Sequence, residues 1–188
     1  MSLKNVNEVV SDVKQFWIGS DKVMVSSAGK WITNTFEMTL TSNPPPLGKE
    51  FPDFERLMEL EWRKSTDLQI KKEPSLESKR FCTVLNLPNF KMGFLYMGRR
   101  TYYPRHSHTP EEIYHVIAGS CLRLCRSGME NKMMKVGDIW YHESEEAHGL
   151  QTDNSPVLIA WAWMGNLNGS YYFCDAPEAK IDNSYVFK

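Results

Sequence analysis

The stretch RHSHTPEEIYHVIAGS, residues 105–120, brings two histidines, a glutamate and a tyrosine together. Alternate side chains of a strand share a face, so His106 and His108 are expected to point the same way. After a turn, Glu112 and Tyr114 share a face in the same manner. Neutral imidazole and carboxylate are the groups that divalent transition metals take from proteins. The stretch therefore predicts part of a metal site, carried by two strands.

A fourth predicted ligand, His148, follows a second turn-rich segment. A lone histidine is more often structural than a ligand, but the pattern H-x-H-x-x-x-E with a later histidine is more specific. We therefore expect four ligands and the phenol of Tyr114 to converge on one cavity. His115 and His142 are interpreted as structural or surface residues.

The composition excludes several classes of protein. The chain has 188 residues, of which 41% are hydrophobic and 24% charged, as is typical of a globular domain. Its net charge of −1 gives no overall field that would attract nucleic acid or an anionic membrane. No apolar run is long enough to span a bilayer, and the N-terminus lacks the apolar core of a signal peptide.

The cysteines are few and scattered. There are four, and they form neither a disulfide scaffold nor a C-x-x-C motif. We interpret them as reduced thiols of a cytoplasmic protein.

Residues 1–80 have helical patterns. Amphipathic segments begin near Asn5, Ser26 and Pro52, and a stretch rich in proline separates the second from the third. Acidic and basic residues are equal in number here, which disfavours a DNA-binding module. These helices are expected to cover a barrel or to form the surface of a homodimer.

From residue 81 the pattern changes to short apolar or alternating runs separated by turn signals. Examples are TVLNL, MGFLYMG, EIYHVIAG and PVLIAWAWMG. This spacing is typical of an all-β sandwich or barrel. The predicted fold is therefore mainly β, with a jelly-roll barrel over residues 81–188 behind the helical region 1–80.

The ligand pattern resembles the first motif of the cupin superfamily, G-x5-H-x-H-x3,4-E-x6-G. Here Gly98 precedes His106 by seven intervening residues where the motif has five, and Gly119 follows Glu112 after six. The resemblance implies a double-stranded β-helix that holds one divalent metal, such as Zn, Fe, Mn, Ni or Co, through the four predicted ligands.

The second cupin motif, G-x5-P-x-G-x2-H, is matched in part. Gly137 and His148 stand in the expected places, but Glu143 and Glu145 replace the proline and the second glycine. These replacements predict an altered turn before His148.

A narrower resemblance, over residues 98–165, is to the cupin-type dimethylsulfoniopropionate (DMSP) lyases. Their pattern Y-x-x-H-x-H-x3-E-x-Y runs here from Tyr103 to Tyr114, and their tryptophan after the last histidine ligand matches Trp163. The resemblance implies elimination of a small zwitterionic carboxylate to dimethyl sulfide and acrylate, with Tyr114 as base and Tyr103 as a second catalytic residue.

Aromatic faces suit the sulfonium end of such a substrate. Trp161 and Trp163 share one face of a strand and are expected to contact it, as is Tyr102. Strict alternation puts Tyr102 in phase with His106, whereas the family motif selects Tyr103. A bulge near the intervening proline would reconcile the two.

Two other functions fit the same residues. An iron dioxygenase or a sugar isomerase would use similar ligands, because ligand type alone does not choose among first-row metals. A non-catalytic cupin could bind a small carboxylate, although it would have less reason to place a tyrosine beside a metal. The native metal and the oligomeric state are left open.

Overall fold

A computed structural model describes residues 44–125 and 130–174 of the chain. The predicted helices that begin near Asn5 and Ser26 lie outside these residues. Four short helices occur in the described chain: α1 Leu47–Glu50, a 3-10 helix Pro52–Glu59, α2 Asp67–Lys72 and a 3-10 helix Pro74–Ser78.

Ten strands make up most of the remaining described residues. They are β1 Arg63–Lys64, β2 Lys79–Leu87, β3 Phe90–Met97, β4 Tyr102–His108, β5 Glu111–Leu124, β6 Lys132–Lys135, β7 Ile139–His142, β8 His148–Gln151, β9 Val157–Met164 and β10 Tyr171–Phe173. The prediction of a mainly β fold is confirmed.

Strand β5 joins the two halves of the sheet. The hydrogen-bonded path runs β1-β2-β3-β9-β5-β8-β4-β10, and β6 and β7 also pair with β5. The first part of β5, residues 111–119, pairs with β9, and its last part, residues 122–124, pairs with β8. One long strand thereby positions both halves of the sheet around a common interior.

The sheet has apolar residues on both faces, as β9 illustrates. Leu158, Ala160 and Ala162 pack in an outer layer, whereas Ile159 and Trp161 pack in the interior. Both faces of this strand are covered, and this is why every position of the run PVLIAWAWMG can be apolar without exposing a hydrophobic side chain. Residues 47–62 contribute Leu47, Leu57, Leu60 and Trp62 to the outer layer.

The described segment before β2 contains less α-helix than the sequence predicts. Helices α1 and α2 have four and six residues, and the helix that begins at Pro52 is 3-10. Pro52 and Pro74 stand in the first turn of the two 3-10 helices, where proline is tolerated, and they mark where these helices begin. The division of the chain at residue 80 stays a prediction, although β2 begins one residue earlier, at Lys79.

Two further observations concern membranes and thiols. Within residues 44–125 and 130–174, no helix combines the length and hydrophobicity needed to cross a bilayer. The four cysteines are free thiols.

The glycine that closes the first motif gives a test of this architecture. Gly119 has a φ of +73°, and a Cβ there would overlap the carbonyl oxygen of Pro156. Gly137 has a φ of +92°, but a Cβ there would meet nothing within 4 Å. We expect Gly119→Ala to lower the free energy of unfolding by about 3 kcal/mol or more, and Gly137→Ala by about 1 kcal/mol.

Urea titration of both variants, followed by circular dichroism, measures this difference. Equal losses would mean that the close approach of β5 to Pro156 is unimportant for stability.

Candidate metal centre

Cross-strand pairing brings the predicted ligands into the interior from both halves of the sheet. On one side, Glu112 of β5 lies between Trp163 of β9 and His142 of β7. On the other side, His106 of β4 pairs directly with His148 of β8. Residues that are distant in sequence thereby face one another across the barrel.

The four predicted ligands form a compact, buried cluster. One ligand atom from each lies within 4.8 Å of the others: His106, His108, Glu112 and His148. Each of the four side chains is at most 3% exposed. This cluster could hold a metal ion.

The three imidazoles are oriented by the backbone. Each Nδ1 lies at hydrogen-bonding distance from a carbonyl oxygen two residues away in sequence. The pairs are His106 with Pro104 at 3.0 Å, His108 with Pro110 at 2.8 Å and His148 with Glu146 at 2.7 Å. A carbonyl accepts, so each Nδ1 donates its proton and leaves the Nε2 lone pair free for the cluster.

The carboxylate of Glu112 lies between these imidazoles and a tryptophan. Its Oε2 is 3.1 Å from Nε2 of His108 and 2.9 Å from Nε2 of His148. Its Oε1 accepts a hydrogen bond of 2.6 Å from Nε1 of Trp163. Burial favours the neutral carboxyl, but the hydrogen bonds and charges of His108 and His148 outweigh it when both rings also carry a proton on Nε2, and they then lower the pKa of Glu112 to about 2.

This donor set fits a divalent transition metal. If Nδ1 carries the proton, the Nε2 atoms of His108 and His148 face a carboxylate oxygen lone pair to lone pair, which is repulsive. A cation among the nitrogens and the oxygen turns this repulsion into attraction. The backbone carbonyls are the outer partners that orient ligating histidines in metal sites.

Tyr114 lies beside the cluster as predicted from its phase with Glu112. Its side chain is 3% exposed and lines the cavity. Burial, and then the negative charge of Glu112, raise the pKa of Tyr114 well above its ordinary value. In this arrangement Tyr114 is a neutral phenol.

The choice between Tyr102 and Tyr103 depends on a bulge. The register of β4 against β8 shifts between Tyr103 and His106, so the phase changes where the sequence analysis required it. Tyr103 stacks on His106 with ring centroids 4.3 Å apart and lines the cavity. Tyr102 is not among the described residues that line it, and its role in binding stays a prediction.

The cluster opens into a cavity of about 160 Å³. Trp161 and Trp163 line it, as the sequence analysis expected of residues that contact substrate. Several lining residues were missed, and two of them bear on the chemistry, Lys79 and Tyr171. The hydroxyl of Tyr171 lies 2.8 Å from that of Tyr103. Neither missed residue belongs to the motifs, and only the strand pairing brings them to the site.

His142 is buried and lies against the cluster. Its ring stacks on His148 with centroids 3.9 Å apart, and its Nδ1 is 3.8 Å from Oε2 of Glu112. Burial, and then the neighbouring histidines, lower the pKa of His142 well below its ordinary value. The alternative of a surface histidine is thus wrong, and a packing role fits the position.

In the loop before His148, a residue other than glycine adopts the left-handed backbone conformation that favours glycine. Glu145 has a φ of +62°. Its carboxylate accepts hydrogen bonds from Thr109 at 2.7 Å, Ser170 at 3.0 Å and Ser107 at 3.2 Å. These bonds oppose the backbone strain, so the replacement in the second motif is accommodated by side chains of the opposite segments.

Comparison with known proteins points to the same stretch of the chain that carries the predicted ligands. The family model for dimethylsulfoniopropionate lyase matches residues 83–159. A curated relative, dimethylsulfoniopropionate lyase DddQ of Ruegeria pomeroyi, is 33% identical over 73 residues. That match covers 39% of this chain and 36% of the relative, so the chain spans about a third of the length of that protein.

Solved structures extend the likeness to most of the fold. A chain from the crystal structures of the DMSP lyases RdDddP and RnDddQII has a TM-score of 0.62 at 18% identity, covering 87% of this chain and 95% of that one. DddQ from Ruegeria pomeroyi DSS-3 has a TM-score of 0.58 at 19% identity, covering 80% and 77%.

The fold also occurs outside the lyases. A sugar phosphate isomerase of the cupin superfamily from Silicibacter pomeroyi has a TM-score of 0.52 at 15% identity, covering 61% of this chain and 77% of that one. At such identities the structures show the fold alone. The chain thus has the fold of these structures and, in the stretch carrying its ligand pattern, resembles the dimethylsulfoniopropionate lyases.

Proposed function

We propose that the protein is a metal-dependent carbon–sulfur lyase that eliminates DMSP to dimethyl sulfide and acrylate. The observation that carries this proposal is the buried cluster of three imidazoles and the Glu112 carboxylate, whose ligand atoms lie within 4.8 Å of one another, beside a buried tyrosine. The match to the lyase family over residues 83–159 supports it.

The reaction needs a base and a leaving group. A proton leaves the carbon next to the carboxylate, the electrons of that C–H bond form the double bond, and the C–S bond breaks with its electron pair going to sulfur. A divalent cation at the cluster would supply Lewis acidity toward the substrate carboxylate and offset the charge of Glu112. With the charge of Glu112 offset, the pKa of Tyr114 would fall, and Tyr114 would accept the proton as a phenolate.

Aromatic side chains would bind the sulfonium end. Trp161, Trp163 and Tyr171 line the cavity, and each has a ring face that attracts a cation. Nε1 of Trp163 donates to Glu112, which fixes the orientation of that indole relative to the cluster. Tyr103, hydrogen-bonded to Tyr171, would hold the wall next to His106.

The proposal also includes the identity of the metal and three properties of the whole chain. We propose that the metal is one of Zn, Fe, Mn, Ni or Co, since the cluster offers three nitrogens and a carboxylate oxygen. A cytoplasmic location, a homodimer and a separate N-terminal region over residues 1–80 remain part of the proposal.

Loss of a ligand should lower metal affinity. We expect the purified protein to bind one equivalent of Zn²⁺, and His148→Ala to raise the dissociation constant at least about 100-fold. His115→Ala is the matched control, because His115 points to the other face of β5 and should leave affinity unchanged. Competition with a chromophoric chelator measures both constants, and equal affinities of all three proteins would contradict the assigned ligand.

Removal of the proposed base should abolish turnover while metal is retained. Tyr114→Phe deletes one buried hydroxyl, and we expect kcat for release of dimethyl sulfide to fall at least about 100-fold. Tyr96→Phe deletes a buried hydroxyl from the outer apolar layer and serves as the control. Gas chromatography of the headspace measures the product, and normal turnover by Tyr114→Phe would remove Tyr114 from its role.

A further inference from the structure

We propose that Lys79 binds the carboxylate of a short-chain substrate at the wall of the cavity and thereby sets the direction in which the substrate lies. This inference rests on the proposed function for the identity of the substrate. It adds an anion-binding group that neither the ligand pattern nor the family motifs contain.

Lys79 is a buried cation that has no ion-pair partner in the part of the chain that the structure describes. It begins β2, and its side chain is 6% exposed. Its Nζ lies 4.1 Å from the ring centroid of Tyr103 and 5.2 Å from that of Phe81. Among the residues that the structure describes, no carboxylate lies within ion-pair distance of it.

The energetics of burial favour an anionic partner. Removing an ammonium from water costs more free energy than a contact with an aromatic face returns. Burial lowers the pKa of Lys79 to about 8, and the charge of Glu112 works in the opposite direction. A carboxylate in the cavity would provide the ammonium with an anionic partner.

Most of the other charged residues that line the cavity are also positive. Arg63, Lys64 and Lys91 also line the cavity, whereas Glu112 is the one acidic residue among the described residues that line it. Arg63 and Lys64 have carboxylate partners at the surface, Glu61 at 3.3 Å and Glu77 at 3.8 Å. Such a wall attracts anions and repels a sulfonium group.

This distribution of charge orients a zwitterion. With one carboxylate oxygen on Nζ of Lys79, the other remains available to the metal cluster. The sulfonium group then lies away from the ammonium, toward the faces of Trp161 and Trp163. Lys79 would in this way be a specificity-determining residue, and substrates without a carboxylate would lose its contribution.

Propionate is the probe that separates binding from turnover, since it has the carboxylate and chain of the substrate but no leaving group. Calorimetric titration of the zinc-loaded protein should show propionate binding. We expect Lys79→Met to weaken it about 10- to 100-fold, as for loss of a charge-assisted hydrogen bond. Lys79→Arg, which keeps the charge, should bind within about threefold of the unaltered protein.

Lys135→Met is the matched control, because Lys135 is exposed on β6, and it should leave the affinity unchanged. Thermal unfolding and zinc content establish that each variant is folded and loaded. If Lys79→Met does not fold, the unaltered protein with ¹³C-labelled lysine replaces it: propionate must then shift the Cε signal of Lys79, identified by its absence from Lys79→Arg.

An unchanged propionate affinity in folded Lys79→Met, or no shift of the Lys79 signal, overturns the inference. Failure of the proposed function has a different signature, namely no dimethyl sulfide from the unaltered protein whatever the propionate result. Lys79-dependent propionate binding without turnover would keep the carboxylate site and discard the lyase.

Discussion

The contact between the Glu112 carboxylate and the imidazoles of His108 and His148 is the constraint on which this structure depends. It brings the two halves of the sheet together inside the barrel, where an uncompensated carboxylate is costly and a cation shared with the imidazoles would offset its charge. The long strand β5 makes it possible, since its start lies beside β7 and β9 while its end pairs with β8. Side chains from both halves can thus share one buried carboxylate.

The site is polar although the barrel around it is apolar. Both can occur because alternate side chains of a β-strand point to opposite faces of the sheet. Along β9, one face packs in the outer layer and the other presents Trp161 and Trp163 to the cavity. Aromatic side chains are suited to this boundary, because their faces are apolar while a group such as Nε1 of Trp163 can donate. The outer layer, closed by residues 47–62, keeps water from the back of the sheet.

The sequence predicted the parts of the structure that depend on local pattern. Strand alternation identified His106, His108, Glu112 and Tyr114 as neighbours, and the turn-rich segment before His148 supplied the fourth ligand. The helix predicted from Pro52 is 3-10 and ends at Glu59, whereas the two predicted before it lie outside the described residues. Lys79 was missed because it lies 27 residues before His106 in sequence, and nothing in its own neighbourhood marks it. Only the pairing of non-adjacent strands, which periodicity does not encode, brings it to the cavity.

The loop before His148 is held by the carboxylate of Glu145, which receives hydroxyl groups from Thr109 and Ser170. A glycine would make that turn from its own backbone freedom, whereas this chain depends on residues 36 and 25 positions away. The hydroxyl groups of these two residues should therefore be retained in relatives that carry a glutamate at this position, and be free to vary in those that have a glycine there.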